Sequence, residues 1–295
     1  MSGKLSILYH VVAFVVVAIW GSTFVFTKLL LLGGLTPAQI FVLRFVIAYL
    51  MLLVFCLWRG IRWVSDSWKD ELLMVLLGLT GGSLYFLTEN SSMNYTTTTN
   101  TSLIVSLCPL VATALISLFY KSQRLNRRQT VGSLMAAVGV ALVVMNGHFV
   151  LHLSPLGDVL AFSAALCWAV YSLLMIPVNR KYDTLFITRK VFFYGLLTMI
   201  PYFIWRPGLG IHLLVQQPEL VWNLLFLGCV ASMLCFLAWN WVLKKLGAVV
   251  ATNYVYFNPV TTIIFAWLIL HEQITLFFIL GTLLILVGMY MADRH

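Results

Sequence analysis

Apolar runs long enough to cross a bilayer follow one another down this chain with only short polar breaks between them. A crossing takes about 20 mostly apolar residues. Read that way, the sequence holds ten predicted helices, roughly Ile7 to Leu29, Pro37 to Trp58, Glu71 to Met93, Thr98 to Tyr120, Gln129 to Asn146, Leu156 to Pro177, Leu185 to Trp205, Leu220 to Leu243, Ala248 to Leu270 and Leu276 to Met291. Of the 295 residues 62% are hydrophobic and 9% charged, against about 25% charged in a soluble domain. No sizeable soluble domain fits in what is left. The formal charge of +9 is spread between apolar runs rather than gathered on one face, so a nucleic-acid partner is excluded.

The basic residues instead report orientation, because Lys and Arg accumulate in cytoplasmic loops. With the N-terminus inside, 15 of the 18 fall on the cytoplasmic side, and the exceptions are Lys28, Arg44 and Arg206. Both termini are therefore expected in the cytoplasm, in a multi-pass protein of the plasma (inner) membrane. The first run is read as a retained span rather than a cleavable leader, since it is too long and continues into Lys28. The five cysteines (Cys56, Cys108, Cys167, Cys229, Cys235) lie in or beside apolar runs without CxxC spacing, which fits packing and neither a disulfide framework nor zinc.

The two halves of the chain match when the second is slid back by 147 to 150 positions. Trp20 falls on Trp168, Trp58-Arg59 on Trp205-Arg206, Asn90 on Asn240, Pro109 on Pro259, and Gly132/Gly139 on Gly281/Gly288. Five coincidences in one order mark an internal repeat, with units at 7–146 and 156–291. Each unit has five spans. An odd number sends the second copy through the bilayer upside down, the architecture of many secondary transporters. The expected fold is thus all-α, ten transmembrane helices as two inverted five-helix repeats.

The stretches Trp20-Gly-Ser-Thr-Phe-Val-Phe-Thr-Lys28, Arg44-Phe45, Tyr95-Thr-Thr-Thr-Thr-Asn100 leading to Leu107-Cys-Pro-Leu110, Asn258-Pro259, and His271-Glu272 followed by Gly281 resemble the EamA-type branch of the drug/metabolite transporter superfamily. The resemblance covers both halves. It implies a central cavity lined mainly by the first, third, fourth, sixth, eighth and ninth helices, and export or exchange of small metabolites such as amino acids and their relatives. One position departs: Gln123 stands where the family usually places a glutamate, while the second half keeps Glu272.

Charged groups at membrane depth are costly and rare, so each needs an account. Glu89 and Arg44 lie inside predicted spans, both in the outer half, and Lys28 closes the first helix. Glu89 is the candidate for binding a proton or a substrate amine, with Arg44 or Lys28 as counter-ion or carboxylate partner. Gly78, Gly82, Tyr85 and Glu89 recur on one helical stripe whose outer end, with Asn90 and Ser92, is too polar for lipid. Trp20, Thr23 and Thr27 share a face of the first helix, Trp168, Tyr171 and Met175 of the sixth, and Tyr254, Asn258 and Thr261 of the ninth. Together with Asn240 they describe an aromatic-walled pocket with a few amide and hydroxyl groups, as small-molecule sites have. The same residues could instead form interfacial belts and interhelical ties. Pro109 and Pro259 remove backbone donors at matching points and are expected hinges. Glu272 is read as a helix-start acid or an outer gate. His148 and His152 have i, i+4 spacing without a third ligand, so no metal site is expected, and no cofactor motif is present.

The expected protein is a carrier, not an enzyme, working by alternating access on a small metabolite, with protons as a coupling candidate, membrane lipids around it and a homodimer as one admissible assembly. A phosphorylated sugar or nucleotide conjugate as cargo would want more cations than Arg44 and Lys28. An intramembrane enzyme or lipid-handling scaffold would want a convergent His, Asp, Ser or metal set, which the sequence lacks.

Overall fold

The computed structural model describes residues 3–120, 126–145, 154–270 and 276–293, and every element among them is helical. The helices in chain order are α1 (Gly3–Leu32), α2 (Pro37–Trp58), α3 (Trp68–Gly78), α4 (Leu84–Ser92), α5 (Thr98–Val105), α6 (Cys108–Phe119), α7 (Arg127–Met145) and α8 (Pro155–Lys181). They continue with α9 (Thr184–Leu197), α10 (Ile200–Trp205), α11 (Ile211–Gln216), α12 (Pro218–Leu225), α13 (Cys235–Leu246), α14 (Ala248–Asn253), α15 (Asn258–Leu270) and α16 (Leu276–Asp293). Among the described residues seven segments are long and apolar enough to cross a membrane: Ile7–Leu32, Pro37–Trp58, Trp68–Ser92, Asn100–Phe119, Pro155–Lys181, Pro218–Leu246 and Ala248–Ile269. Gln123, His148, His152 and Glu272 lie outside the described residues.

Local chemistry sets the helix starts. Thr36 caps α2 in a reciprocal capping box with Gln39, and Pro37 occupies the first turn, where its missing N–H costs nothing. Ser67 caps α3, Thr97 caps α5 and Asp183 caps α9, each accepting a backbone N–H of the first turn. The four-threonine run thus ends in a cap. Gly247, at φ 84°, makes the turn between α13 and α14.

Several runs expected as single helices are interrupted. A π turn at Leu79–Ser83 joins α3 to α4, with Gly82 leaving helical geometry (φ −124°, ψ −105°). A second π turn, Phe226–Leu234, joins α12 to α13. These two turns correspond at an offset of 150, the one that relates Gly78 to Gly228 and Asn90 to Asn240. The α5–α6 run breaks at Ser106 and Leu107, and a 3-10 turn at Tyr254–Phe257 separates α14 from α15. Pro109 and Pro259 sit just after these breaks, in the first turns of α6 and α15, so the interruption falls upstream of each proline, not at it. The first helix runs past both expected ends, and α11 is a short addition.

Glycines set the closest helix crossings, as is usual where lipid offers no drive for burial. A Cβ on Gly78 would stand 2.5 Å from Tyr194 Cβ, and one on Gly228 would stand 2.9 Å from Ile47 Cβ. The α3–α9 and α2–π-turn crossings are therefore counterparts. In the α7–α16 pair Gly132 meets Gly288 and Ala292 while Gly139 meets Gly281 and Ile285, an antiparallel seam of four glycines.

At the basic end, charged groups tie the 59–67 stretch and α3 to α8 and α9. Lys181 pairs with Asp70, Lys190 and Tyr194 with Glu71, and Arg189 donates to the carbonyls of Ile61 and Arg62. Tyr182 Oη donates to Asp70 at 2.9 Å and accepts from the Asp66 N–H at 2.9 Å.

Candidate functional site

Where α1, α2, α4, α5, α6, α8 and α13 come together with the α14–α15 region lies a narrow cavity, about 440 Å³ of non-atom space when its open mouth is included. Its walls are aromatic: Trp20, Phe24, Tyr85, Phe86, Trp168 and Phe236 all face it. Trp20 and Trp168 meet edge to face at 5.3 Å between centroids, and Trp20 also packs on Phe236 (5.6 Å) and Trp239 (5.1 Å). Such offset and edge arrangements are the favoured aromatic geometries.

Four polar groups in this apolar wall are short of partners. Glu89 is 6% exposed; its Oε1 accepts from Tyr85 Oη at 2.7 Å, and its other oxygen has no hydrogen-bond partner among the described residues. Arg44, 1% exposed, donates through Nε to Ser232 Oγ at 2.9 Å and lies over the Phe86 ring at 4.4 Å, while Nη1 is buried without a partner. Asn258 Oδ1 and Trp168 Nε1 are likewise buried and unpartnered. Buried polar groups are normally satisfied. The ion pairs among the described residues lie at the basic end, and none joins Arg44 to Glu89. An acid and a base thus line one cavity without being consumed by each other, beside a buried amide oxygen and an indole N–H.

Of the residues singled out from the sequence, the structure brings Trp20, Thr23, Tyr85, Glu89, Trp168, Asn258 and Arg44 to this cavity. Others are held elsewhere. Asn240 accepts from Tyr171 Oη at 2.5 Å and donates to Thr188 at 2.9 Å, both fully buried. Among the described residues Asn90 reaches only the Pro37 carbonyl, at 3.4 Å. Tyr254 bonds His10 Nδ1 at 2.6 Å. Lys28 gives its Nζ to the Met93 carbonyl at 2.6 Å, so it is not in the cavity wall. The lysine caps the C-terminal end of α4 through that one carbonyl.

Residues the sequence did not single out also line the space: Phe24, Phe86, Val105, Cys108, Phe236 and Val255. Phe86 and Phe236 stand at the same offset of 150 as Asn90 and Asn240, a signal that was available. Ser232, the partner of Arg44, had none, because its value lies in a contact between α2 and the distant π turn. Among the described residues no three of His, Cys, Asp and Glu gather as metal ligands would.

A helical chain with several bilayer-length apolar segments around an aromatic-walled cavity that holds a few polar groups is a multi-pass membrane protein. The EamA-like transporter family model matches it twice, at residues 7–145 and 155–292. The chain belongs to that family, within the drug/metabolite transporter superfamily. It is 29% identical over 291 residues to an uncharacterized transporter of Archaeoglobus fulgidus, covering 97% of this chain and 98% of the relative. It is 26% identical over 289 residues, 95% of this chain and 93% of the relative, to an Escherichia coli protein named a probable amino-acid metabolite efflux pump. A crystal structure 19% identical in sequence superposes with a TM-score of 0.73 over 96% of this chain and 95% of the other, which speaks for the fold.

Proposed function

We propose that this transporter carries a small zwitterionic metabolite, an amino acid or a close relative, outward across the plasma membrane by alternating access, not as an enzyme. The observation that carries the reading is the cavity in which, among aromatic walls and among the described residues, Arg44 keeps a buried unpartnered Nη1 and Glu89 keeps one carboxylate oxygen outside its bond to Tyr85. An ammonium would complete Glu89 and a carboxylate would complete Arg44, each by a charge-assisted hydrogen bond. The indole and phenyl walls would take the apolar remainder. The name of the Escherichia coli relative supports the same cargo class. In this reading the ten sequence spans are ten crossings in two inverted repeats, both termini are cytoplasmic, and Asn258 with Thr23 helps seat the solute. Proton coupling through Glu89 belongs to the same reading, with its carboxylate taking a proton when the amine leaves. A phosphorylated cargo is disfavoured because Arg44 is the one cation in the cavity wall among the described residues.

A counterflow screen in proteoliposomes tests this, with amino acids, purines and organic acids each run with and without a pH gradient. Saturable exchange confined to amino acids and their relatives is the expected result. Exchange of organic acids alone, or silence across all classes with folded protein, would overturn it.

A further inference from the structure

The two π turns are repeat counterparts, yet the structure treats them unequally. At the second turn, Trp20 Nε1 donates to the Ala231 carbonyl at 2.9 Å and Arg44 Nε donates to Ser232. A π turn frees a backbone carbonyl from the helical ladder, and an indole N–H is a fitting donor for it. Downstream of that turn, Asn240 has both ends of its amide bonded.

The counterparts at the first turn are unmade. Trp168, which matches Trp20, is 4% exposed and its Nε1 is buried with no partner among the described residues. The position matching Ala231 is Gly81. The Tyr171 ring stands there: a Cβ on Gly81 would lie 2.3 Å from it. Asn90, which matches Asn240, has a buried Oδ1 with no partner among the described residues. An orphaned buried donor raises the free energy of the state that holds it. In a fold of two matched halves, exchanging their roles gives a second state in which the Trp168 indole N–H is satisfied.

We infer that Trp20 and Trp168 are paired positioning residues that alternate in holding the two π turns. In this structure Trp20 holds the turn at Phe226–Leu234; in the opposite access state Trp168 holds the turn at Leu79–Ser83 through the Gly81 carbonyl, and Trp20 is released. The inference rests on the alternating-access reading above. Because both indoles line the cavity, a solute seated between them touches both latches. Replacing Trp20 by Phe removes a bond from this state and an orphan from the other, so both effects favour the other. Replacing Trp168 by Phe does the reverse.

Hydrogen–deuterium exchange on the full chain in lipid nanodiscs tests this without a ligand, read on peptides covering 79–83 and 226–234. Trp20→Phe is expected to raise exchange at 226–234 and lower it at 79–83, moving the ratio of the two by about fivefold, the size of one neutral hydrogen bond. Adding Trp168→Phe is expected to bring the ratio back toward wild type. Loosening at 226–234 with no change at 79–83, or two substitutions that add instead of cancelling, would overturn the inference. Counterflow by the wild-type protein is measured alongside. A working carrier without the exchanged protection rejects the latches alone, whereas exchanged protection without transport rejects the carrier reading.

Discussion

Glu89 owes its position to Tyr85 one turn before it, whose hydroxyl fixes one carboxylate oxygen and leaves the other toward the cavity. Glu89→Gln keeps an acceptor for Tyr85 and removes the charge. Counterflow of a zwitterion is expected to fall about tenfold or more, the worth of a charge-assisted bond, and its response to a pH gradient to disappear while the protein stays monodisperse. Arg44→Lys tests the guanidinium. An ammonium cannot keep both the Nε bond to Ser232 and a fork toward a carboxylate. The expected outcome is a KM raised about tenfold, with the maximal rate changed less. The sequence marked both residues because charge inside an apolar run is conspicuous. It was silent on which cation faces the cavity: Arg44 and Lys28 look alike in a string, and only the chain's path shows Lys28 bound to the Met93 carbonyl.

Among the elements, seven of the ten expected runs stand as helices of membrane-crossing length among the described residues, and the interruptions were not legible. Length and hydropathy announce a crossing, whereas a π turn depends on what stands beside the helix: Trp20 and Arg44 at one turn, Tyr171 and Gly195 at the other. The prolines pointed to the right neighbourhoods because a missing N–H is tolerated at the start of α6 and α15. Glycine crossings make the sharpest element-scale prediction. A Cβ on Gly21 would stand 1.7 Å from Thr261 Oγ1 and 2.6 Å from the Asn258 carbonyl, so α1 and α15 cannot meet as they do with a larger residue. Gly21→Val is expected to lower the thermal unfolding midpoint in detergent by about 5 °C or more, as overpacking does. Gly60, with nothing within 4 Å of its own Cβ position, is the control site for crowding, although its φ of 62° keeps Asn the milder replacement there.

For the molecule as a whole, the matched halves are the organising fact. The repeat was readable from five coincidences, and the family model finds it at 7–145 and 155–292. What the string could not convey is that the halves differ in conformation, since identical residues such as Trp20 and Trp168 acquire different partners only in three dimensions. The charge distribution makes a molecule-scale prediction too: a reporter fused to either terminus is expected to be protected from external reagents in intact cells, and labelling of either one from outside would contradict the assigned topology.

The central claim is that one cavity reads both ends of a zwitterion. It is tested most directly by counterflow of an amino acid competed by its methyl ester, which lacks the carboxylate, and by its N-acetyl form, which lacks the ammonium, in the wild-type, Glu89→Gln and Arg44→Met proteins. The account predicts that wild type favours the zwitterion over both analogues, that Glu89→Gln erases its advantage over the N-acetyl form, and that Arg44→Met erases its advantage over the ester. Equal competition by all three compounds in wild type, or the same selectivity in all three proteins, would contradict it.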